Sequence, residues 1–246
     1  MTIDRTERST TLTTVDSTIT TGTHTSGAAD PGVRTRRALY RLAGGALVAG
    51  PVLYLAGMLT CPPQDGPDTA AYISSLARDT TLTETSAILL HYGNLLTGVG
   101  MLVVPLLVRS AKGRILTLLG TLGAVLTMLN ISGAVKDDWW RMVIGRTVPM
   151  DVAVRISDTV DASGLLTLWR GTSMIGFLGL LLAYVGLARS GVLGWWAPAV
   201  YVAAFVGMMT VPVSLTVVYG LVFTSLFAPL AMVGVLAVRR AALRIG

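Results

Sequence analysis

The feature that most constrains this chain is a series of long, nearly uninterrupted apolar blocks. Six of them reach the length of roughly 20 residues that an α-helix needs to cross the hydrocarbon core of a bilayer. The blocks cover approximately residues 39–60, 87–108, 115–135, 165–187, 195–213 and 215–238. Because a lipid-exposed backbone must satisfy its own hydrogen bonds, each block is predicted to be a helix. The sequence therefore predicts an all-α, polytopic transmembrane bundle with six spans.

Charge supports this interpretation and orients the bundle. Only 13% of the 246 residues are charged, against about 25% in a typical soluble domain. With six spans, 13 basic and four acidic residues fall on one side, and five basic and nine acidic residues fall in the loops of the other side. The positive-inside rule then places both chain ends in the cytoplasm. Because the net charge of +6 follows the topology, the bilayer is the expected partner and a nucleic acid is not.

The Thr-rich segment 1–36 precedes the first block and contains almost no large apolar residues. We expect it to be a disordered cytoplasmic tail in front of a transmembrane domain covering 37–246. The composition, which includes only two lysines, is typical of a high-GC bacterium. The expected location is therefore the bacterial plasma membrane.

Two predicted outer loops, 61–86 and 136–164, are long enough to hold short surface helices. Apolar residues recur at helical spacing in both: Ile73, Leu76 and Ala77 in the first, and Val152, Ile156 and Val160 in the second. Such helices are expected to lie on the membrane or to cap the bundle.

Polar residues inside the spans are the best functional pointers in a membrane protein. Here they are Tyr54, His91, Asn94, Asn130, Arg170, Ser173 and Tyr219, and the predicted topology places all of them towards the outer end. We expect them to line one polar pocket that opens outwards, with Arg170 as its positive pole and His91 as its titratable group. Asp137 and Asp138 would pair with Arg170 from above, and Trp139 and Trp140 would complete the ligand-binding candidates.

Structural roles compete with each of these assignments. An arginine near the end of a span can extend its charged group to the interface, and tryptophans there can serve as membrane anchors. Asn94 and Asn130 also suit hydrogen bonds between helices. Small residues at four-residue spacing, such as Gly93 with Thr97, Gly120 with Ala124 and Gly179 with Ala183, favour either packing within the bundle or a homodimer face.

Several chemistries are absent from the sequence pattern. Cys61 is the only cysteine, so no internal disulfide or thiolate metal site is expected. One histidine in a span is too few for bis-histidine haem. Neither HExxH, Walker A, a dinucleotide-binding glycine motif nor GxSxG occurs. We predict no metal and no cofactor.

Three functions fit these patterns. The first is a binding, transport or resistance protein that handles a small lipophilic or anionic molecule in the outer pocket. The second is a membrane-embedded enzyme for a lipid or isoprenoid-like substrate, with Asp137 or Asp138 and His91 as acid and base. The third is a non-catalytic subunit of a membrane complex. The first is favoured because no catalytic constellation is evident.

Overall fold

The computed structural model describes residues 31–243, and this part of the chain is all-helical, without strands. Its eleven α-helices are α1 (Pro31–Thr60), α2 (Thr69–Arg78), α3 (Thr80–Met101), α4 (Val104–Leu107), α5 (Arg114–Ala134), α6 (Lys136–Thr147), α7 (Met150–Asp161), α8 (Gly164–Arg189), α9 (Trp196–Thr210), α10 (Thr216–Ser225) and α11 (Ala228–Leu243). The prediction of an all-α fold is confirmed.

Four helical units are long and apolar enough to cross a membrane: α1, α3 with α4, α5 with α6, and α8. Helices α10 and α11 pass the same test together but are bent by 47° where they meet, so they make a fifth candidate if they count as one span. Helix α9 has 15 residues and is therefore about 22 Å long, short of the roughly 30 Å hydrocarbon core. The structure thus supports four or five spans, and the prediction of six is not confirmed.

The beginning of the first helix differs from the prediction. Residues 1–30 of the expected disordered tail lie outside the described part of the chain, but residues 31–36 are helical. Pro31 opens the helix, where its fixed φ suits the first turn and its missing N–H costs nothing. The Thr35 hydroxyl then donates to the Pro31 carbonyl at 3.0 Å. Helix α1 therefore begins six residues before the boundary predicted at residue 37.

Prolines explain two other breaks in the predicted spans. Helix α3 ends at Met101 and helix α10 ends at Ser225, in each case four residues before a proline. Pro105 and Pro229 have no N–H with which to bond the carbonyls of these residues, so the regular helix stops there. The blocks 87–108 and 215–238 are consequently each divided into two helices.

Small residues bring the long helices together in antiparallel pairs. In the α1–α3 pair, Gly50 lies against Gly93 and Thr97. In the α5–α8 pair, a Cβ added to Gly120 would be 2.3 Å from the Ala183 nitrogen. The predicted small-residue spacing therefore serves packing inside the chain, where it lets backbones approach closely.

The start of α1 and the end of α11 lie at the same end of the bundle, which we call the basic end. There the Tyr40 hydroxyl donates to the Leu106 carbonyl at 3.1 Å, and Arg240 Nη1 donates to the Leu107 carbonyl at 2.8 Å. Gly113, with a φ of 81°, turns the chain into α5 at this end. This left-handed conformation favours glycine.

Helices α2, α6 and α7 cover the opposite end, which we call the cap end. The two predicted loop helices exist as α2 and α7. Ile73 and Leu76 are buried in α2, as their spacing indicated. In α7, however, the buried residues are Ala153 and Ser157. The stripe of Val152, Ile156 and Val160 is thus not the face on which α7 packs.

Candidate functional site at the cap end

The two ends of the bundle differ in charge. All nine acidic residues that the structure describes lie at the cap end: Asp65, Asp68, Asp79, Glu84, Asp137, Asp138, Asp151, Asp158 and Asp161. Most of the described basic residues lie at the basic end. A network of opposite charges among the described residues can therefore form only at the cap end. It lies in and around α6, which continues α5 beyond the predicted span and carries several charged residues.

Arg141 lies at the centre of this network. Its side chain is only 5% exposed and donates to Asp161 at 2.7 Å and to Asp137 at 3.3 Å. The guanidinium also lies 5.8 Å from the ring centroid of Tyr72 and 5.2 Å from that of Trp140. These contacts connect α2, α6 and α7, because planar guanidinium combines forked hydrogen bonding with stacking on aromatic rings.

Arg170 was the predicted positive pole, and Arg141 was not among the predicted site residues. Asp137 and Arg141 have the i,i+4 spacing of a helical ion pair, so this part of the network was detectable from sequence. The contribution of Asp161 was not, because it comes from the next helix, 20 residues further along the chain. Arg170 is part of α8, but its side chain lies outside the description.

Asp138 faces α2, where the Tyr72 hydroxyl donates a hydrogen bond to its carboxylate. Burial raises the pKa of Asp138 to about 6, although the Tyr72 hydrogen bond acts in the opposite direction. The charge of Asp137 raises this pKa further and that of Arg141 lowers it. Burial, followed by the charge of Asp138, also raises the pKa of Cys61 to about 11. The site therefore contains a carboxyl group that titrates near pH 6 beside a thiol that stays protonated.

One cavity of about 280 Å³, the α5–α8 cavity, brings together four predicted site residues. Its lining is formed by Asn130, Gly133, Ala134, Lys136, Asp137, Trp140, Leu166, Trp169 and Ser173. The Asn130 amide nitrogen donates to the Thr172 hydroxyl at 2.7 Å, which ties α5 to α8 below the cavity. Two indoles and several aliphatic groups make the walls mainly apolar, with a few polar groups at defined positions. This combination is typical of small-molecule sites.

A second cavity of about 250 Å³, the α3–α6 cavity, contains His91 and Trp139. The Nδ1 atom of His91 lies 2.9 Å from the Ser132 hydroxyl and 3.1 Å from the Ser132 carbonyl. Ser132, which the sequence analysis did not single out, is buried. His91 therefore connects α3 to α5 and lines a cavity separate from that of Asn130 and Ser173. Lys136 lines both cavities.

Three further candidates lie among packed side chains and line neither cavity. The Tyr54 ring stacks on Phe223 with a centroid distance of 5.5 Å, and Tyr219 lies 6.1 Å from the same ring. Asn94 is buried and donates to the Leu90 carbonyl one turn earlier in α3. The expected single pocket is thus distributed over two cavities and an apolar interior.

The three candidates for acid–base catalysis each have a different neighbour. Asp137 accepts hydrogen bonds from Trp140 and Arg141, Asp138 accepts one from Tyr72, and His91 contacts Ser132. Each of these contacts is a link within or between helices.

No family model, curated protein or solved structure matches this chain in comparisons of sequence and fold. The fold defines the class directly: an all-helical protein in which several apolar helices could span a membrane.

Proposed function

We propose that this chain is a bacterial plasma-membrane protein with six spans and both ends in the cytoplasm. In this topology α9 is a short span and α10 with α11 is a bent one. The proposal is supported by the antiparallel order of the helices and by the concentration of basic residues at the basic end, which the positive-inside rule places in the cytoplasm.

Accessibility of single cysteines tests this orientation. In a Cys61→Ser background, Arg155→Cys introduces a thiol into α7 at the cap end and Lys112→Cys introduces one at the basic end. Both native side chains are exposed. A maleimide that cannot cross membranes should label only the first variant in intact cells and both in lysed cells. Labelling of Lys112→Cys in intact cells would contradict the proposal.

The function supported best is the binding of a small lipophilic molecule in the α5–α8 cavity, as part of transport or resistance. The observation that carries it is the lining of that cavity: Trp140 and Trp169 provide flat apolar walls, and Asn130 and Ser173 provide polar groups. A ligand with an apolar body and one hydrogen-bonding group would fit this arrangement. Lys136 offers a positive charge at the cavity for an anionic variant of such a ligand.

Dye binding in lipid nanodiscs tests the proposal with a matched pair of variants. Trp169 lies at the cavity and is 43% exposed, whereas Trp196 lies at the basic end and is 45% exposed. Trp169→Ala should weaken the binding of Nile red, a neutral lipophilic dye, by at least about fivefold, because an aromatic contact contributes roughly 1 kcal/mol beyond its buried area. Trp196→Ala should leave binding unchanged.

Equal behaviour of the two variants would mean that the dye dissolves in the surrounding lipid, and the binding proposal would fail. The anionic dye 1-anilinonaphthalene-8-sulfonate distinguishes the ligand classes. Stronger binding of this dye than of Nile red, with loss in Lys136→Gln, would assign the cavity to anions.

A further inference from the structure

We propose that the basic end binds the phosphate group of an anionic membrane lipid. The site is a cavity of about 180 Å³ between the start of α1 and the end of α11, which we call the α1–α11 cavity. Its lining consists of Gly32, Val33, Arg36, Arg37, Tyr40, Arg240 and Ala241. This site lies at the opposite end of the bundle from the α5–α8 cavity and does not depend on the function proposed for that cavity.

Contacts with the protein hold two of the guanidinium groups in place. Arg240 donates one hydrogen bond to the Leu107 carbonyl, which leaves other N–H groups of its fork for a ligand. Arg36 lies 5.9 Å from the ring centroid of Tyr40, and the hydroxyl of Tyr40 is itself bonded to the Leu106 carbonyl. Positioning the arginines in advance lowers the entropy that binding must remove.

The charge around the cavity favours an anion strongly. Ten described basic residues lie at this end: Arg34, Arg36, Arg37, Arg41, Arg109, Lys112, Arg114, Arg189, Arg239 and Arg240. All the described acidic residues lie at the cap end. No carboxylate of the described residues lies at this end to pair with Arg36 or Arg240, and a phosphate can accept paired hydrogen bonds from arginine.

The position of the cavity along the bundle indicates a lipid rather than a soluble anion. Tyr40 is followed within one turn by Leu42, whose side chain is largely exposed and suits contact with acyl chains. Arg36 and Arg37 thus precede this apolar surface by about one and a half turns, the level expected for lipid headgroups. Basic pockets between helices at this level are suited to anionic headgroups.

Native mass spectrometry of the full chain, purified with added lipid, tests the site. Phosphatidylglycerol should remain bound through detergent exchange, whereas phosphatidylcholine should not. The double variant Arg36→Gln with Arg240→Gln should retain less phosphatidylglycerol, by about fivefold for each arginine removed. Arg36→Gln alone keeps the Arg240 contact with Leu107 and should still lose about fivefold, even if the double variant folds poorly.

The matched control is Arg109→Gln with Arg189→Gln, which removes the same charge from the same end outside the cavity and should retain the lipid. Equal loss of phosphatidylglycerol in both double variants would mean that the overall positive charge of the basic end retains the lipid, and it would overturn the proposed site. Full retention in Arg36→Gln would also overturn it. Equal binding of glycerol 3-phosphate, which has no acyl chains, would replace the lipid with a soluble anion and contradict the proposal.

Discussion

The cap end and the contacts between the long helices are stabilised by opposite means. At the cap end, a buried guanidinium holds three helices through carboxylates and aromatic rings, with Arg141 at the centre. Between α5 and α8, small residues such as Gly120 and Gly179 let two backbones touch. The first arrangement requires specific partners, and the second requires the absence of side-chain volume.

This difference follows from the surroundings that each region is proposed to have. In lipid, apolar side chains gain little from contact with one another, so close packing of small residues supplies the attraction. At the membrane surface, the free-energy cost of burying a charged group can be offset when each charge has a partner of opposite sign. Variants that add volume should therefore damage the helix contacts, whereas variants that remove charge should damage the cap end.

The largest effect is expected for Gly120→Ala. The added Cβ would lie 2.3 Å from the Ala183 nitrogen and 2.6 Å from the Gly179 oxygen, both of which are backbone atoms. The helices would have to separate, and we expect a loss of about 3 kcal/mol in stability. Fluorescence-detected size exclusion after heating measures the loss. Gly45→Ala is the control, because no heavy atom lies within 4 Å of its added Cβ; similar losses in both variants would contradict the packing explanation.

The next largest effect is expected for Arg141→Met. Removal of the guanidinium leaves Asp137 and Asp161 without this partner, and we expect a loss of about 2 kcal/mol because both carboxylates keep partial access to water. The control Arg155→Met removes an exposed ion pair with Asp151, which should contribute at most about 1 kcal/mol. Thermal unfolding of both variants gives the comparison. Equal shifts would mean that burial does not distinguish the two arginines.

A smaller, pH-dependent effect is expected from Asp138. Its pKa is about 6 in the folded protein against an ordinary value of 3.8, so the folded state keeps a proton that the unfolded state has released. Stability should therefore fall as pH rises from about 4 to above 6, by about 1 kcal/mol for this partly exposed group.

Melting temperatures between pH 4 and 7 measure this effect. Asp138→Asn should remove most of the decline, since an amide oxygen still accepts from Tyr72 and carries no charge. The exposed Asp151→Asn variant should keep the decline. A steeper decline of stability with pH in Asp138→Asn than in the unchanged protein would contradict a raised pKa for Asp138.

The smallest effect is expected for Ser132→Ala, which removes the hydroxyl contact with His91 between α3 and α5 and leaves the Ser132 carbonyl 3.1 Å from His91 Nδ1. Hydrogen bonds between membrane helices average about 0.6 kcal/mol. Ser225→Ala removes a bond within one helix, from its hydroxyl to the Leu221 carbonyl, and provides the control. The melting temperature should fall in the first variant by more than in the second. A larger fall in Ser225→Ala than in Ser132→Ala would contradict a stabilising role for the Ser132 hydroxyl contact with His91.

The helical architecture was predictable because apolar length alone determines it. The blocks 115–135 and 165–187 match α5 and α8 within two residues at either end. Local chemistry divides two of the apolar blocks: Pro105 and Pro229 end helices that hydropathy alone would continue. Hydropathy measures whether a segment suits lipid, but it does not register a missing N–H group.

The sequence predicted the general location of the candidate site, but it did not predict which residues contact one another there. Asn130 and Ser173 do share a cavity, and the four-residue spacing of Asp137 and Arg141 is that of a helical ion pair, although the pair was not predicted. The separation of His91 into a second cavity depends on which side of α5 each helix packs. Spacing along one helix cannot show this, because it does not specify the neighbouring helix.

The sequence by itself determined the class of fold, the helical segments and the opposite charges of the two ends. These properties come from apolar length and from the order of charged residues, both of which are local. Only the tertiary structure selected Arg141 as the buried cation of the cap end and placed Arg36 and Arg240 around one cavity at the basic end. Such contacts join residues far apart in the chain, and they form only when specific helices pack side by side.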